Sequence, residues 1–292
     1  MGDVYTGIQD ERVQDLNDAE PGDGRYVLYW MQQSQRAELN HALEYAIHRA
    51  NELDLPLLVA FGLMDDYPEA SARHYHFMLQ GLADVEKALD ARDITFVLQR
   101  GNPAEVALGL ADDAALLVCD RGYLRHQRQW RDTVASKAPC PVVQVESYVV
   151  VPVELVSDKK EFAARTIRPK ITRHLDRFLV GLRANTLKNT TRPKVTGEDL
   201  SDVDALLGRL KVDTSVPPVP LFTGGTTAAT KVLAAFLADS FDTYAQNRNQ
   251  PQTSDVSHMS KYLHYGQISP VTSPWGRRRS TAAPTRTTSW RS

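Results

Sequence analysis

Five short apolar runs punctuate the first half of the chain: "RYVLYW" (25–30), "PLLVAFGL" (56–63), "ITFVLQR" (94–100), "AALLVCD" (114–120) and "PVVQVES" (141–147), each bounded by turn or charge signals. Between them, near 36–53, 71–92, 103–111 and 123–137, apolar residues recur at three and four, as in Leu39, Leu43, Ala46, Ile47, Ala50 and Leu53. Near-continuous apolar strands alternating with amphipathic helices predict a parallel sheet covered on both faces and joined by right-handed crossovers. Residues 25–155 are therefore expected to form a doubly wound α/β domain with a five-stranded parallel sheet. Residues 1–24 read as a polar leader.

Ligands of such sheets bind beyond the carboxyl ends of the strands, where the strand order reverses. Those ends carry "WMQQSQR" (30–36), "LMDDY" (63–67) and "DRGYLR" (120–125), with no G-x-G-x-x-G. An apolar or aromatic ligand without phosphate is compatible with this crevice, and the sequence does not name it. Asp65 and Asp66 read as a solvated turn rather than an acid/base pair. His74 and His76 are two apart, which on a helix turns them to different faces, so no metal site is expected there.

Beyond "VVVPVELVSDKKEFAARTIRPKI" (149–171) the strand rhythm stops. Helical periodicity appears near 171–183 and 199–210, and the Pro-rich "VDTSVPPVPLF" (212–222) should run extended along the surface. Residues 156–222 thus read as a linker with helices. The stretch 226–251 predicts one long buried helix, with Val232, Ala235 and Phe236 on its apolar face and Pro251 at its end.

Composition changes this picture little. The net charge of −2 gives no global argument for a polyanionic partner, although it does not exclude a local basic face. The run "DKKEFAARTIRPKI" is basic enough to touch DNA phosphate, but a charge run is usually a solvated face, and that is the better reading of this part of the linker. Cys119 and Cys140 fit neither a zinc nor a disulfide framework and read as reduced core thiols. With no apolar run near the ~20 residues of a membrane span and no signal-type leader, a cytoplasmic protein without membrane attachment is expected.

The chemistry concentrates in "TSDVSHMSKYLHYGQISP" (253–270). Ser254, Ser257 and Ser260 precede a helix, Ser260 being a natural N-cap, and hydroxyls with free amides can cradle a phosphate. On spacing alone, capping and turning is the plainer reading of these serines. In their order along the chain, "RYVLYWMQQSQRAELNHALEYAI", "LRHQRQWRDTVA", "VVVPVELVSDKKEFAARTIRPKI", "FTGGTTAATKVLAAFL", "YAQNRNQP" and "SHMSKYLHYGQISP" resemble the class II cyclobutane pyrimidine dimer DNA photolyases of the cryptochrome and photolyase superfamily, from about residue 25 to Pro270.

That resemblance implies an α/β antenna domain, a linker, and from residue 223 the first helices of an all-α FAD-binding domain. It implies FAD as cofactor, a deazaflavin or folate as an optional antenna chromophore, DNA containing pyrimidine dimers as partner, and a monomer. Reduced flavin, excited by light, donates an electron to the dimer, the ring splits and the electron returns. By motif position, Tyr244 matches the family's tyrosine on the first flavin-binding helix, and Val256, Ser257, His258, Met259 and Ser260 match its phosphate-binding loop. Arg248 resembles the arginine beside the flavin, though it also reads as a charge favoured by a helix C-terminus. His258, Met259 and Lys261 stand where the family usually has Asn, Leu and Pro.

No catalytic residue is expected in this chain, because the family's electron-transfer and lesion-binding residues lie beyond the "GQIS" motif. After Val271 the sequence carries five arginines and no acid, the composition of a coding region read out of frame, the alternative being a functional disordered basic tail. Residues 271–292 are expected to be a disordered tail and 223–270 an incomplete domain, inactive as written, with Val232, Phe236, Tyr262, Leu263 and Tyr265 uncovered. Two other readings are a cryptochrome-like blue-light sensor and a stand-alone α/β nucleotide-binding module.

Overall fold

The computed structural model describes residues 8–20 and 22–272. Its strands are β1 (Val13–Asp15), β2 (Tyr26–Trp30), β3 (Leu57–Leu63), β4 (Thr95–Arg100), β5 (Ala114–Asp120) and β6 (Val142–Val145), in the order β1-β6-β5-β2-β3-β4. The five strands from β2 onward are the five expected runs, and every pairing among them is parallel. The sixth is a departure from expectation: Val13–Asp15, within the supposed polar leader, pairs antiparallel with β6. Arg12 anchors it, buried, by donating to the carbonyls of Glu146, Val149 and Val150. A lone arginine in a polar segment gives no period to read, yet its guanidinium satisfies three carbonyls that burial would otherwise strand.

Helices α1 (His41–Leu53), α2 (Ala72–Asp90), α3 (Pro103–Ala111) and α4 (Arg125–Lys137) connect the parallel strands. Alternation along β2 feeds two cores. Val27, Tyr29 and Met31 pack with Leu43 and Ile47 of α1 and with Val85 and Leu89 of α2. Tyr26, Leu28 and Trp30 pack with Ala107 and Leu110 of α3 and Val134 of α4. The first helix starts at His41 rather than near 36, because the Asn40 side chain accepts from the Leu43 amide and so caps it. Pro103 at the first position of α3, behind the Asn102 cap, acts likewise.

The linker holds the short helices α5 (Val153–Val156), α6 (Ala164–Thr172), α7 (Leu175–Phe178) and α8 (Val203–Gly208). Helical structure thus begins earlier than the expected 171–183, and the chain from 180 to 202 has no helix. That extended stretch covers the sheet edge at β4: the Glu198 amide donates to the Leu98 carbonyl (2.7 Å), and a Cβ on Gly197 would lie 2.7 Å from that oxygen.

The expected long helix is broken into α9 (Thr226–Asp239) and α10 (Tyr244–Asn247), and only Ala229 of α9 is buried. The break falls in "DSFDT", a run of poor helix formers, and the turn sets Phe241 and Tyr244 edge-on to Phe236 at 6.0 and 5.5 Å. The last described helix, α11 (Ser260–His264), also departs from expectation. Met259 rather than Ser260 is its N-cap, because His258 takes φ 54° and turns the chain one residue early. Tyr262, expected to be uncovered, is buried with Met259, Ile268, Ala229 and Phe77 of α2, whereas Leu263 remains 38% exposed. The expectation for the tail concerns 271–292, of which 273–292 lie outside the described residues.

Candidate functional site

The chain leaves β2 toward β3 and β4 on one side, then crosses back to β5 and β6 on the other, so the order reverses between β2 and β5. A cavity of about 500 Å³ opens at their carboxyl ends, as the topology dictates. Its floor is fixed by Asp120, the last residue of β5. One carboxylate oxygen accepts the amides of Gln32, Gln33 and Ser34 at 3.1, 2.9 and 2.9 Å, and the other accepts the Tyr29 hydroxyl at 2.8 Å. Burial pushes the Asp120 pKa up, opposed by those amides, by Tyr29 and by Arg36. The loop after β2 is thereby pinned to the end of β5.

Amides and aromatic rings make the walls. Gln33 accepts from Gln127 of α4 (2.6 Å), and Gln32 accepts from the Trp30 indole (3.0 Å) while donating to the Gly62 carbonyl (3.1 Å). Tyr67 bonds His126 at 2.9 Å, and His126 meets Trp130 edge-on at 5.0 Å. Burial raises the pKa of Tyr67, Tyr75 and Tyr148, pushes Tyr265 up to about 12, and lowers that of His126. These groups are therefore neutral near pH 7. Among the described residues no lysine or arginine lines the cavity, which disfavours a phosphate-bearing ligand and suits a flat, uncharged one. Gln35 also lines it, and its buried Oε1 has no hydrogen-bond partner among the described residues.

One wall comes from the far end of the chain. Tyr265 and His264 line the cavity, and the His264 carbonyl accepts the Tyr148 hydroxyl (3.1 Å). Buried Arg36, in the loop after β2, donates to the carbonyls of Gly266 (3.0 Å) and Ser147 (2.7 Å). Gln267 bridges further, accepting the Gly225 amide (2.8 Å) and donating to the Phe77 carbonyl (3.2 Å). Gly266 sits at φ 66°, and a Cβ there would lie 2.2 Å from the Gln33 carbonyl oxygen. Arg36, Gly266 and Gln267 carry no chemistry of their own, and sequence reasoning misses them as site residues. Their traces in the sequence are that all three fall inside the first and last of the family-like strings and that Arg36 ends the "WMQQSQR" run at a strand's carboxyl end.

The residues matched to a flavin site form a second, more open cluster. Tyr244 opens α10, half-buried, and the Arg248 guanidinium lies 5.9 Å from its ring while the arginine itself is exposed. The loop carrying Val256 to Ser260 is tied to α10 through Asp255, which accepts from Thr243 (2.7 Å) and Asn247 (2.6 Å). These bonds hold the Asp255 pKa below the usual range. Sequence reasoning misses Asp255 because a polar residue in a polar loop gives no signal. Ser257 Oγ accepts the Met259 amide at 3.4 Å, Met259 is buried, and Val256, His258 and Ser260 are exposed. Lys261 Nζ donates to the His258 carbonyl (2.8 Å) and sits 3.7 Å from the Phe222 ring centroid.

The paired carboxylates and histidines have local partners, and His74 also lines the switch-point cavity. Asp65 accepts from Arg100 and the Lys211 amide, His74 caps α2 at Ser71, and His76 meets Asp204 at 3.2 Å. Among the described residues no group of three or more His, Cys, Asp or Glu could hold a metal, and no helix is long and apolar enough to cross a membrane.

Fold and cavity together define a doubly wound α/β domain with a cavity at its switch point and a helical segment docked over it. The family model described as DNA photolyase matches residues 27–193, and the chain belongs to the DNA photolyase family. The deoxyribodipyrimidine photo-lyase of Methanothermobacter thermautotrophicus is 46% identical over 265 residues, which are 90% of this chain and 59% of that protein. That of Potorous tridactylus is 33% identical, covering 89% of this chain and 48% of its own length. The chain thus spans about half the length of the curated relatives it matches. Among solved structures, a bacterial class III photolyase from Agrobacterium tumefaciens superposes with TM-score 0.63 at 20% identity, over 87% of this chain and 53% of that one. An archaeal photolyase from Sulfolobus tokodaii, solved with two FAD molecules, gives 0.63 at 16%, over 83% and 52%. At these identities the likeness is one of fold.

Proposed function

We propose that the protein acts in the light-dependent repair of cyclobutane pyrimidine dimers in DNA, as a cytoplasmic, monomeric photolyase of class II. The observation that carries this reading is the docking of the "YGQIS" segment over the switch-point cavity, in a chain that belongs to the photolyase family. Residues 25–155 act as the antenna domain, 156–222 as the linker and 223–270 as part of the flavin-binding domain. When bound, reduced FAD supplies the electron that opens the dimer.

The donor set of the loop fits the phosphate part of that cofactor. Ser257 and Ser260 lie three residues apart about the start of α11, Lys261 adds a cation, and the Asp255 charge is taken up by Thr243 and Asn247. Tyr244 and Arg248 stand on the element that Asp255 joins to the loop. No residue of this chain is assigned a step in dimer splitting. The cavity at the switch point fits an antenna chromophore: its walls are mainly amides and aromatic rings, with Glu69 also lining it, and the unpartnered Gln35 oxygen suits a ligand that can donate a hydrogen bond. The resemblance implies a deazaflavin or a folate there, and the carboxylates of a folate would find no lysine or arginine among the described lining residues.

The test uses the chain itself and a chimera in which residues 1–270 precede the remaining part of the Methanothermobacter thermautotrophicus relative. Each is reduced, supplied with FAD and illuminated with a thymine-dimer oligonucleotide, and restored thymines are counted. Repair in blue light and none in the dark is expected of the chimera. A chimera that retains flavin and repairs nothing in light would refute the reading in favour of a light sensor.

A further inference from the structure

We propose that the exposed face of α6 and the loop before it form a contact surface for the phosphate backbone of duplex DNA, separate from both candidate cofactor sites. The inference rests on the DNA partnership of the reading above but names a surface that reading does not use. From 159 to 173 the chain has six basic residues and one acid, in a protein of net charge −2. Lys170 is spent on that acid, Glu161, at 2.5 Å. Lys159, Lys160, Arg165 and Arg168 are all exposed and make no ion pair among the described residues. Arginines elsewhere are commonly engaged: Arg92 with Glu44, Arg100 with Asp65, Arg121 with Glu146 and Glu154, Arg209 with Glu198.

The fold turns these charges outward. Ile167 and Ile171 of α6 pack on the cluster of Val151, Val156 and Phe178, which at 3.6 residues per turn puts Arg165 on the far side of the helix and Arg168 on its flank, both exposed. Three residues apart, they rise about 4.5 Å along the helix. Successive phosphates of one strand advance by about 3.4 Å, so neighbouring phosphates lie within reach of both. Lys159 and Lys160 stand in the loop before the helix start, where they line the cavity that Ile167 and Ile171 also line. A membrane surface is the weaker fit, because Ile167 and Ile171 are partly buried against Val151, Val156 and Phe178, and among the described residues from 159 to 173 the large apolar side chain that is exposed is Phe162, at 87%, beside Lys160.

The experiment is fluorescence anisotropy of a labelled, undamaged 20-base-pair duplex, in the dark and without flavin, against the full chain over a salt series. The fourfold variant Lys159→Gln/Lys160→Gln/Arg165→Gln/Arg168→Gln is compared with Arg73→Gln/Lys87→Gln/Lys137→Gln/Lys188→Gln, which removes the same charge from other exposed positions. Wild type and the second variant should bind alike. The first should bind about tenfold or more weakly at low salt, its plot of log K against log salt shallower by about 2–4. Equal losses in both variants, or none in the first, would overturn the surface and leave the DNA partnership standing. No binding by wild type at low salt would count against both. A parallel series with phosphatidylglycerol vesicles reads the rival: vesicle binding lost in the first variant, with duplex binding intact, would reassign the face to a membrane.

Discussion

Replacing Gly266 by Ala tests how the two ends of the described chain are held together. At φ 66° an L-residue costs about 1–2 kcal/mol relative to glycine. The new Cβ would also stand 2.2 Å from the Gln33 carbonyl oxygen and 2.8 Å from Ser34 Cα, both backbone atoms that no rotamer change can move aside. Such overpacking adds about 1–3 kcal/mol. If the backbone yields instead, the bond from Arg36 to the Gly266 carbonyl breaks, and a charge-assisted bond of that kind is worth about 1.5–3 kcal/mol. Either way the loss should be about 2–5 kcal/mol. Gly109→Ala is the matched control: it lies inside α3, exposed, with no neighbouring atom within 4 Å of the place a Cβ would take, and should stabilise by about 0.5–1 kcal/mol. Urea unfolding followed by circular dichroism gives both values from midpoint and slope. Hydrogen exchange at the amides of Gln33 to Arg36 shows whether the damage is local. A Gly266→Ala protein within about 0.5 kcal/mol of wild type, with unchanged exchange there, would refute the close docking.

Asp120→Asn should cost about 2–4 kcal/mol, since one amide oxygen cannot replace a carboxylate that accepts three backbone amides and a hydroxyl; a urea midpoint equal to wild type would contradict this. Burial pushes the thiols of Cys119 and Cys140 up to about 12 and about 11, so neither should react with a disulfide reagent at pH 8 until the chain is unfolded, and rapid labelling of the native protein would be inconsistent with the core. Because the folded state holds these protons more tightly than the unfolded chain, their contribution to stability is intact below about pH 8.5 and falls as pH rises toward 11–12; a pH titration of the unfolding midpoint that rises across that window would reverse the sign. In the chimera, Ser257→Ala/Ser260→Ala should weaken FAD retention about tenfold or more, as charge-assisted bonds to pyrophosphate are lost, and undiminished flavin after dialysis would remove the loop from the cofactor site.

What is legible in the sequence is what period and local chemistry encode. The five parallel strands and their four connecting helices follow from apolar runs and from recurrence at three and four, because burying both faces of a sheet leaves a continuous signal. The position of the cavity follows from strand order alone. The family is legible for another reason: several specific strings stand in one order along the chain.

Tertiary structure decided the rest. Whether Val13–Asp15 joins the sheet depends on Arg12 finding carbonyls more than 130 residues away, which no local window contains. The long amphipathic pattern at 226–251 reads as one helix, but Phe236 gains Phe241 and Tyr244 as neighbours when the chain turns, and this packing joins the weak propensity of "DSFDT" in favouring the break. The cap of α11 moves from Ser260 to Met259 for a similar reason, since His258 turns early and Met259 is drawn into the cluster of Phe77 and Tyr262. Arg36, Gly266 and Gln267 look ordinary one by one. They matter only because the fold brings residue 36 to residue 266, where a buried guanidinium and two backbone carbonyls must satisfy one another away from water.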